Sequence, residues 1–269
     1  TRWPRPSRDR SELPLSSGAP LPPSAPSDVC QVTRGAHSDG ANAGVPRPFT
    51  YVRIPKTGSS LAVFKLFLTS TFRRCSACNV TVRNHANGCR PPTECRGATL
   101  PAGTRSMFVL RRPSDRWPSQ LSQLARMYGD KRHEGKLFHH WAPDRVYQWT
   151  RDQFAGCGHT DVQCRVNAVN AHFKESHRVI LWPQAYFVGG DPVVVCYDRE
   201  RLVRRFNCAL AQLCPSSRCG GLPDVWVNSR AALPPSRTAA AGNVTDAAIT
   251  ALYPEDEALW QRHCGGRAA

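Results

Sequence analysis

The sharpest chemical signal in the chain is Lys56-Thr57-Gly58-Ser59-Ser60, which sets an ammonium and three hydroxyls around one glycine. Upstream, Phe49-Thr50-Tyr51-Val52-Arg53-Ile54 is aromatic and β-branched and ends at Pro55, as a strand entering a turn would. Downstream, Leu61, Val63, Phe64, Leu66, Phe67 and Leu68 are dense enough for a mostly buried helix, with Ser59 or Ser60 as its N-cap. Strand, short loop and helix together hold phosphate, because the first backbone N–H groups of a helix lack intrahelical partners and its dipole adds positive potential. The loop is not a Walker A motif: its Lys precedes the Gly instead of following it. On this loop alone, an ordinary strand–turn–helix with an exposed Lys reads equally well.

A second stretch shifts that balance. Ser106-Met107-Phe108-Val109-Leu110 reads as a buried strand running into Arg111-Arg112-Pro113-Ser114-Asp115-Arg116. A helix pattern follows through Leu121, Leu124 and Met127, with Ser114 as its cap and Pro118 in its first turn. Arg111 at the strand end and Ser119 about a turn into the helix are placed to reach one phosphate, through a guanidinium fork and a hydroxyl. The competing reading leaves Arg111 and Arg116 as plain surface charges.

Taken together, these residues resemble a known superfamily. Arg53-Ile54-Pro55-Lys56-Thr57-Gly58-Ser59-Ser60 is similar to the 5′-phosphosulfate loop of sulfotransferases that use 3′-phosphoadenosine 5′-phosphosulfate (PAPS). Arg111-Arg112-Pro113-Ser114-Asp115-Arg116-Trp117-Pro118-Ser119 resembles their Arg-x-Pro-x-x-Arg-x-x-Ser motif for the 3′-phosphate. Both occur in the expected order on the expected elements, and the resemblance spans residues 49 to 262, thin between the motifs. Within the superfamily the chain looks most like the glycosaminoglycan uronyl 2-O-sulfotransferases, the heparan sulfate type in particular. Those proteins carry an Arg where Arg53 stands, a Cys-Gly-His stretch like Cys157-Gly158-His159 closed by a Cys like Cys164, and a strand-to-helix passage like Tyr186-Phe187-Val188-Gly189 with an acidic-headed helix beyond it.

The resemblance implies a P-loop-NTPase-like α/β fold with a mainly parallel sheet, and in-line transfer of sulfuryl from PAPS, as co-substrate, to a glycan hydroxyl, with a uronic-acid 2-hydroxyl of a glycosaminoglycan-like chain as the acceptor. Pro55, Lys56, Thr57, Gly58, Ser59, Ser60, Arg111 and Ser119 would bind the nucleotide, and Arg53 the substrate. Lys56 would also steady the charge that builds on the leaving oxygen. A poorly nucleophilic hydroxyl needs a base. Family members keep a basic His between the two motifs, where this chain has only His85. No metal is needed. The chain departs from the pattern in two places: Asn84-His85-Ala86-Asn87 has one His where the glycan enzymes have two, and Arg112 stands where an acid is usual.

These motifs need positioning elements, and composition says what kind. The chain has 269 residues, 41% of them hydrophobic and 9% aromatic, which excludes a wholly disordered chain and suffices for a full core. Residues 1–47 are rich in Pro, Ser, Gly and Arg and read as a disordered stem or arm, leaving 48–269 as a single catalytic domain. Beyond the motifs, helices are expected over 144–154, 161–173, 198–213 and 246–260, and a strand over Ala185–Gly189. Strands alternating with helices predict an α/β domain with a mainly parallel sheet.

The formal charge of +16 asks for a polyanionic partner, and twelve cysteines with the sequons Asn79-Val80-Thr81 and Asn243-Val244-Thr245 favour a secretory lumen. In that compartment an acidic polysaccharide is the expected partner, and no motif supports nucleic acid. The expected location is the Golgi, as a type II membrane protein if an anchor precedes Thr1; no apolar run here approaches the roughly 20 residues of a span. A homo-oligomer is compatible with the composition. Cys75, Cys78, Cys89 and Cys95 could be zinc thiolates, but irregular spacing and the compartment favour disulfides. Cys157 and Cys164 suit a short disulfide loop, with His159 structural or on the surface. His139-His140-Trp141 reads as a solvated pair, and Arg126, Lys131, Lys136 and Arg132 as surface or part of a glycan groove. Arg230 is undecided between surface, nucleotide and glycan. Two other functions compete: a non-catalytic basic module that binds acidic polysaccharide by charge, and a P-loop nucleotide or phosphate-transfer enzyme, which would need Mg²⁺.

Overall fold

A computed structural model describes residues 32–34, 49–55, 57, 80–84, 100, 105–128, 137–172, 179–189, 191–198, 201–213 and 244–265. Its sheet has five strands, β1 (Val32–Arg34), β2 (Phe49–Arg53), β3 (Val80–Asn84), β4 (Arg105–Leu110) and β5 (Asp191–Cys196), in the spatial order β1-β5-β4-β2-β3. β2 runs parallel to both β3 and β4, β4 runs parallel to β5, and β1 closes one side antiparallel to β5. The helices are α1 (Pro113–Tyr128), α2 (Pro143–Phe154), α3 (Val162–His172), α4 (Leu202–Leu213), α5 (Asp246–Leu252) and α6 (Pro254–Cys264). The α/β class expected from alternating strands and helices is present. Among the described residues no helix is long and apolar enough to cross a membrane.

Both faces of the central strands β2, β4 and β5 are buried, as parallel strands require. Because successive side chains point to opposite faces, Val52, Ile54, Phe108, Leu110 and Val194 enter one core with Trp117, Val166, Trp182, Ile249 and Tyr253. Phe49, Tyr51, Met107, Val109, Val193 and Val195 enter the other, against Leu202, Phe206 and Leu210 of α4. Fully burying an aliphatic or aromatic side chain of this size contributes about 1.5–3 kcal/mol, so these two layers dominate the stability. In α4 the Arg205 guanidinium, though buried, donates to the Cys196 carbonyl at 3.1 Å and meets Asp198 at 3.4 Å.

Several expected elements differ. Val32–Arg34, inside the stretch read as an arm, is strand β1: its Val-Thr pair suits a ladder, and β5 offers a free edge. The strand expected at Ala185–Gly189 is instead a 3-10 turn over Gln184–Phe187. The valine-rich run Asp191–Cys196 takes the sheet position, and the Asp256 carboxylate caps the turn by accepting from the Gln184 and Ala185 N–H groups, each at 2.8 Å. α1 starts at Pro113, not after a Ser114 cap, because proline is preset for the first helical position; Pro118 therefore lies beyond the first turn and projects outward. The helix expected from Asp198 begins at Leu202, with Asp198 ahead of it accepting from the Arg201 N–H. The single tail helix is two, broken at Tyr253 (φ −127°, ψ 61°), since the residue before Pro254 is excluded from helical geometry.

Two disulfides brace the described part. Cys157–Cys164 closes the short loop between α2 and α3 that the resemblance implied, and Cys196–Cys264 joins the end of β5 to the end of α6. Cys208 is also disulfide-bonded. Replacing Cys196 and Cys264 together by serine removes the covalent tie between α6 and the sheet and is expected to lower stability by about 2–4 kcal/mol. Denaturant unfolding of the double variant beside the wild type checks this, and an unchanged midpoint would contradict it.

Candidate functional site

The topology concentrates chemistry at one edge. From β2 the chain passes to β3 on one side, and from β4 to β5 on the other, so connections diverge between β2 and β4. In open parallel sheets the crevice at the carboxyl ends of such a strand pair is where ligands bind. The parallel register Phe49↔Arg105, Thr50↔Ser106, Tyr51↔Met107 makes β2 and β4 end on the same side of the sheet, where Pro55 and Arg111 follow them. Both expected phosphate motifs therefore begin at the same edge, on neighbouring strands.

Arg111 is half-buried at the end of β4, with its guanidinium 4.5 Å from the ring centre of Tyr197. Its backbone N–H donates to Gln184 Oε1 at 3.1 Å, and its carbonyl accepts from Gln184 Nε2 at 2.7 Å. On the other strand Pro55 is buried, and the Thr57 hydroxyl, 1% exposed, donates to the Ile54 carbonyl at 3.0 Å. Thr57 thus braces the turn from inside, and one of the three loop hydroxyls is turned to the backbone. Ser119 lies nearly two turns into α1 and is 3% exposed, deeper than the single turn expected, because the helix starts earlier. Arg53 closes β2, paired with Asn84 of β3. Lys56, Gly58, Ser59, Ser60 and His85 lie outside the described residues, as does the helix expected after Ser60.

Beneath this edge sits Arg116, the second arginine of the Arg111–Ser119 motif, for which a plain surface charge is the competing reading. Arg116 is 1% exposed. Its Nε donates to the Pro55 carbonyl at 3.1 Å, one terminal nitrogen donates to the Trp182 carbonyl at 3.0 Å and meets Asp256 at 3.5 Å, and the other donates to the Ile180 carbonyl at 3.4 Å. Gln120 also donates to Ile180, and the Tyr253 hydroxyl donates to the Leu181 carbonyl at 3.0 Å. Residues 179–187 form a buried segment with only short 3-10 turns, so their backbone carbonyls need partners from elsewhere. α1 and Tyr253 supply them. Burial pushes the Arg116 guanidinium below its ordinary value and the Asp256 carboxyl above its own, and each opposes the shift of the other. The Gln184 and Ala185 N–H groups further favour the carboxylate.

Arg112, at the position where the resembled family carries an acid, reaches α6, with Nε 3.5 Å from Glu257 and its guanidinium 5.5 Å from the Trp260 ring centre. Arg165 of α3 is ion-paired with Glu255 and donates to the His159 carbonyl, while His159 itself is exposed. His139 and His140 sit with ring centres 4.0 Å apart in a turn beside Phe138 and Trp141. The Cys75, Cys78, Cys89 and Cys95 group, Lys131, Arg132, Lys136 and Arg230 lie outside the described residues, and the side chain of Arg126 is likewise undescribed. The residues that sequence reasoning missed, Asp256, Gln184 and Tyr197, are far from the motifs in sequence. The acidic run Glu255-Asp256-Glu257 reads as ordinary helix-start charge, and nothing local marks that Asp256 turns in to the buried segment or that Glu255 pairs with Arg165. No protein-family model, curated protein or solved structure matches this chain.

Two outcomes follow from the buried group. Removing one partner of a buried ion pair costs about 3–5 kcal/mol, whereas replacing both by apolar residues is often near neutral. Asp256→Leu and Arg116→Met are each expected to fall in that destabilised range, and the two together to recover part of the loss. Denaturant unfolding of the three variants measures this, and full additivity would contradict the pairing. Burial also raises the Tyr253 phenol above its ordinary value. The unfolded chain therefore ionises first, and this contribution to stability is complete below about pH 10 and lost as pH rises above it. Tyr253→Phe, lower in stability at pH 7 by about 1 kcal/mol, should close that gap at high pH; an equal gap at both would refute it.

Proposed function

We propose that the carboxyl edge between β2 and β4 binds the phosphates of PAPS and that the chain transfers its sulfuryl group to a hydroxyl of an acidic glycan. The observation that carries this reading is the parallel pairing of β2 with β4, which puts the turn at Pro55 and Thr57 and the strand end at Arg111 on the same side of the sheet at a topological switch point. Two anion-binding motifs that resemble those of one enzyme superfamily thus share an edge, joined from below by Arg116. The residues fit the group chemically: a half-buried guanidinium suits a phosphate dianion, and the net charge of +16 suits a polyanionic acceptor. On this reading the finer fold is the P-loop-like sulfotransferase type, and a uronic-acid 2-hydroxyl of a glycosaminoglycan-like chain is the acceptor.

PAPS supplies an activated sulfuryl group. Arg111, with Ser119 as a second donor, holds the 3′-phosphate, and Pro55, Lys56, Thr57, Gly58, Ser59 and Ser60 bind the 5′ end. The Lys56 ammonium steadies the charge that develops on the leaving oxygen, and Arg53 meets the acceptor. His85, the residue after the last of β3, takes the proton of the acceptor hydroxyl. The test is transfer of labelled sulfate from PAPS to desulfated heparan, chondroitin and dermatan chains by the wild type, Lys56→Ala, His85→Ala and Arg111→Ala. Label is expected on a uronic-acid 2-hydroxyl. Lys56→Ala and His85→Ala should lower kcat by at least about 100-fold, and Arg111→Ala should act mainly by raising the KM for PAPS. Full activity in Lys56→Ala, or no binding of PAPS by the wild type, would overturn the reading.

A further inference from the structure

The end of β4 is held from two sides by residues that neither phosphate motif contains. β4 and β5 pair through Leu110↔Cys196, so the next position sets Tyr197 beside Arg111, and the Tyr197 N–H donates to the Leu110 carbonyl at 2.7 Å. The Arg111 guanidinium lies 4.5 Å from the centre of the Tyr197 ring, within reach of its negative face. On the other side the Gln184 amide brackets the Arg111 backbone, accepting from its N–H at 3.1 Å and donating to its carbonyl at 2.7 Å. This pair of bonds does for one residue what a neighbouring strand would do. Gln184 is itself 1% exposed and fixed through its own N–H to Asp256 at 2.8 Å.

We infer that Tyr197 and Gln184 are positioning residues for Arg111, Gln184 fixing its backbone and Tyr197 its guanidinium, so that the 3′-phosphate of the nucleotide meets a side chain already in place. The inference rests on the nucleotide reading above. An arginine has many rotamers, and a phosphate that must order it loses affinity to that entropy. A ring face that holds the guanidinium in the free protein removes part of that cost.

The test is calorimetric titration of the full chain with two probes, adenosine 3′,5′-bisphosphate and adenosine 5′-monophosphate, which differ only in the 3′-phosphate. Wild type should bind the bisphosphate more tightly. Tyr197→Leu should weaken bisphosphate binding about threefold to tenfold and leave the monophosphate unchanged, while Tyr197→Phe, which keeps the ring face, should behave as wild type. Gln184→Met should show the same selective loss; should it fail to fold, Tyr197→Leu decides alone. An unchanged bisphosphate affinity in Tyr197→Leu, or an equal loss for both probes, overturns the inference while the nucleotide reading stands. A wild type that does not distinguish the probes overturns that reading, and the inference with it.

Discussion

Residues 179–187 pass through the interior with only short 3-10 turns, and their polar backbone has to be satisfied there. That constraint organises the molecule. The carbonyls of Ile180, Leu181 and Trp182 accept from Arg116, Gln120 and Tyr253, and the N–H groups of Gln184 and Ala185 donate to Asp256. Leaving any one of these buried groups without a partner would cost about 1–3 kcal/mol. Against that, the attraction within the Arg116–Asp256 pair is largely offset by desolvation of both ions. The apolar layers therefore supply the stability, and the polar network decides where the elements sit.

Its consequences reach the carboxyl edge of the sheet directly. One guanidinium touches the turn after β2 through Pro55, the buried segment through Ile180 and Trp182, and the last helix through Asp256. The helix that carries it, α1, follows β4 after only Arg111 and Arg112. Asp256 in turn fixes Gln184, and Gln184 holds the backbone of Arg111. The Cys196–Cys264 bond ties the far end of α6 to β5, next to Tyr197. The proposed binding of phosphate groups at this edge would benefit from such bracing, because preorganised donors lose less freedom when they bind.

The parts legible in the sequence are those whose determinants are local. Phe49–Arg53 and Arg105–Leu110 announce themselves as buried strands by continuous apolar and β-branched character, and the helices α1 to α4 by their apolar spacing. The parts that were not legible depend on distant partners. Tyr186-Phe187-Val188 has strand-forming residues, yet the Asp256 carboxylate, seventy-odd positions away, caps a turn there. Val32–Arg34 is too short to stand out within a Pro- and Ser-rich stretch and gains its strand only from β5. Nothing local shows whether Arg116 belongs to its motif or is a plain surface charge; its burial follows from carbonyls contributed more than sixty residues downstream. Of the candidate site, the motif positions Pro55, Thr57, Arg111 and Ser119 could be picked from the sequence, but Thr57 and Ser119 prove more enclosed than their motifs suggested. Tyr197 and Gln184 could be found only once the strand register was known.

The central claim is that this edge, and no other surface, receives a 3′-phosphoadenosine nucleotide. Hydrogen exchange of the full chain with and without saturating adenosine 3′,5′-bisphosphate tests it most directly. The account predicts slower exchange in peptides that cover the turn after β2 and the passage from Leu110 into α1, with α2 and α3 unchanged. No change at either place, or protection confined to a different face, would contradict it.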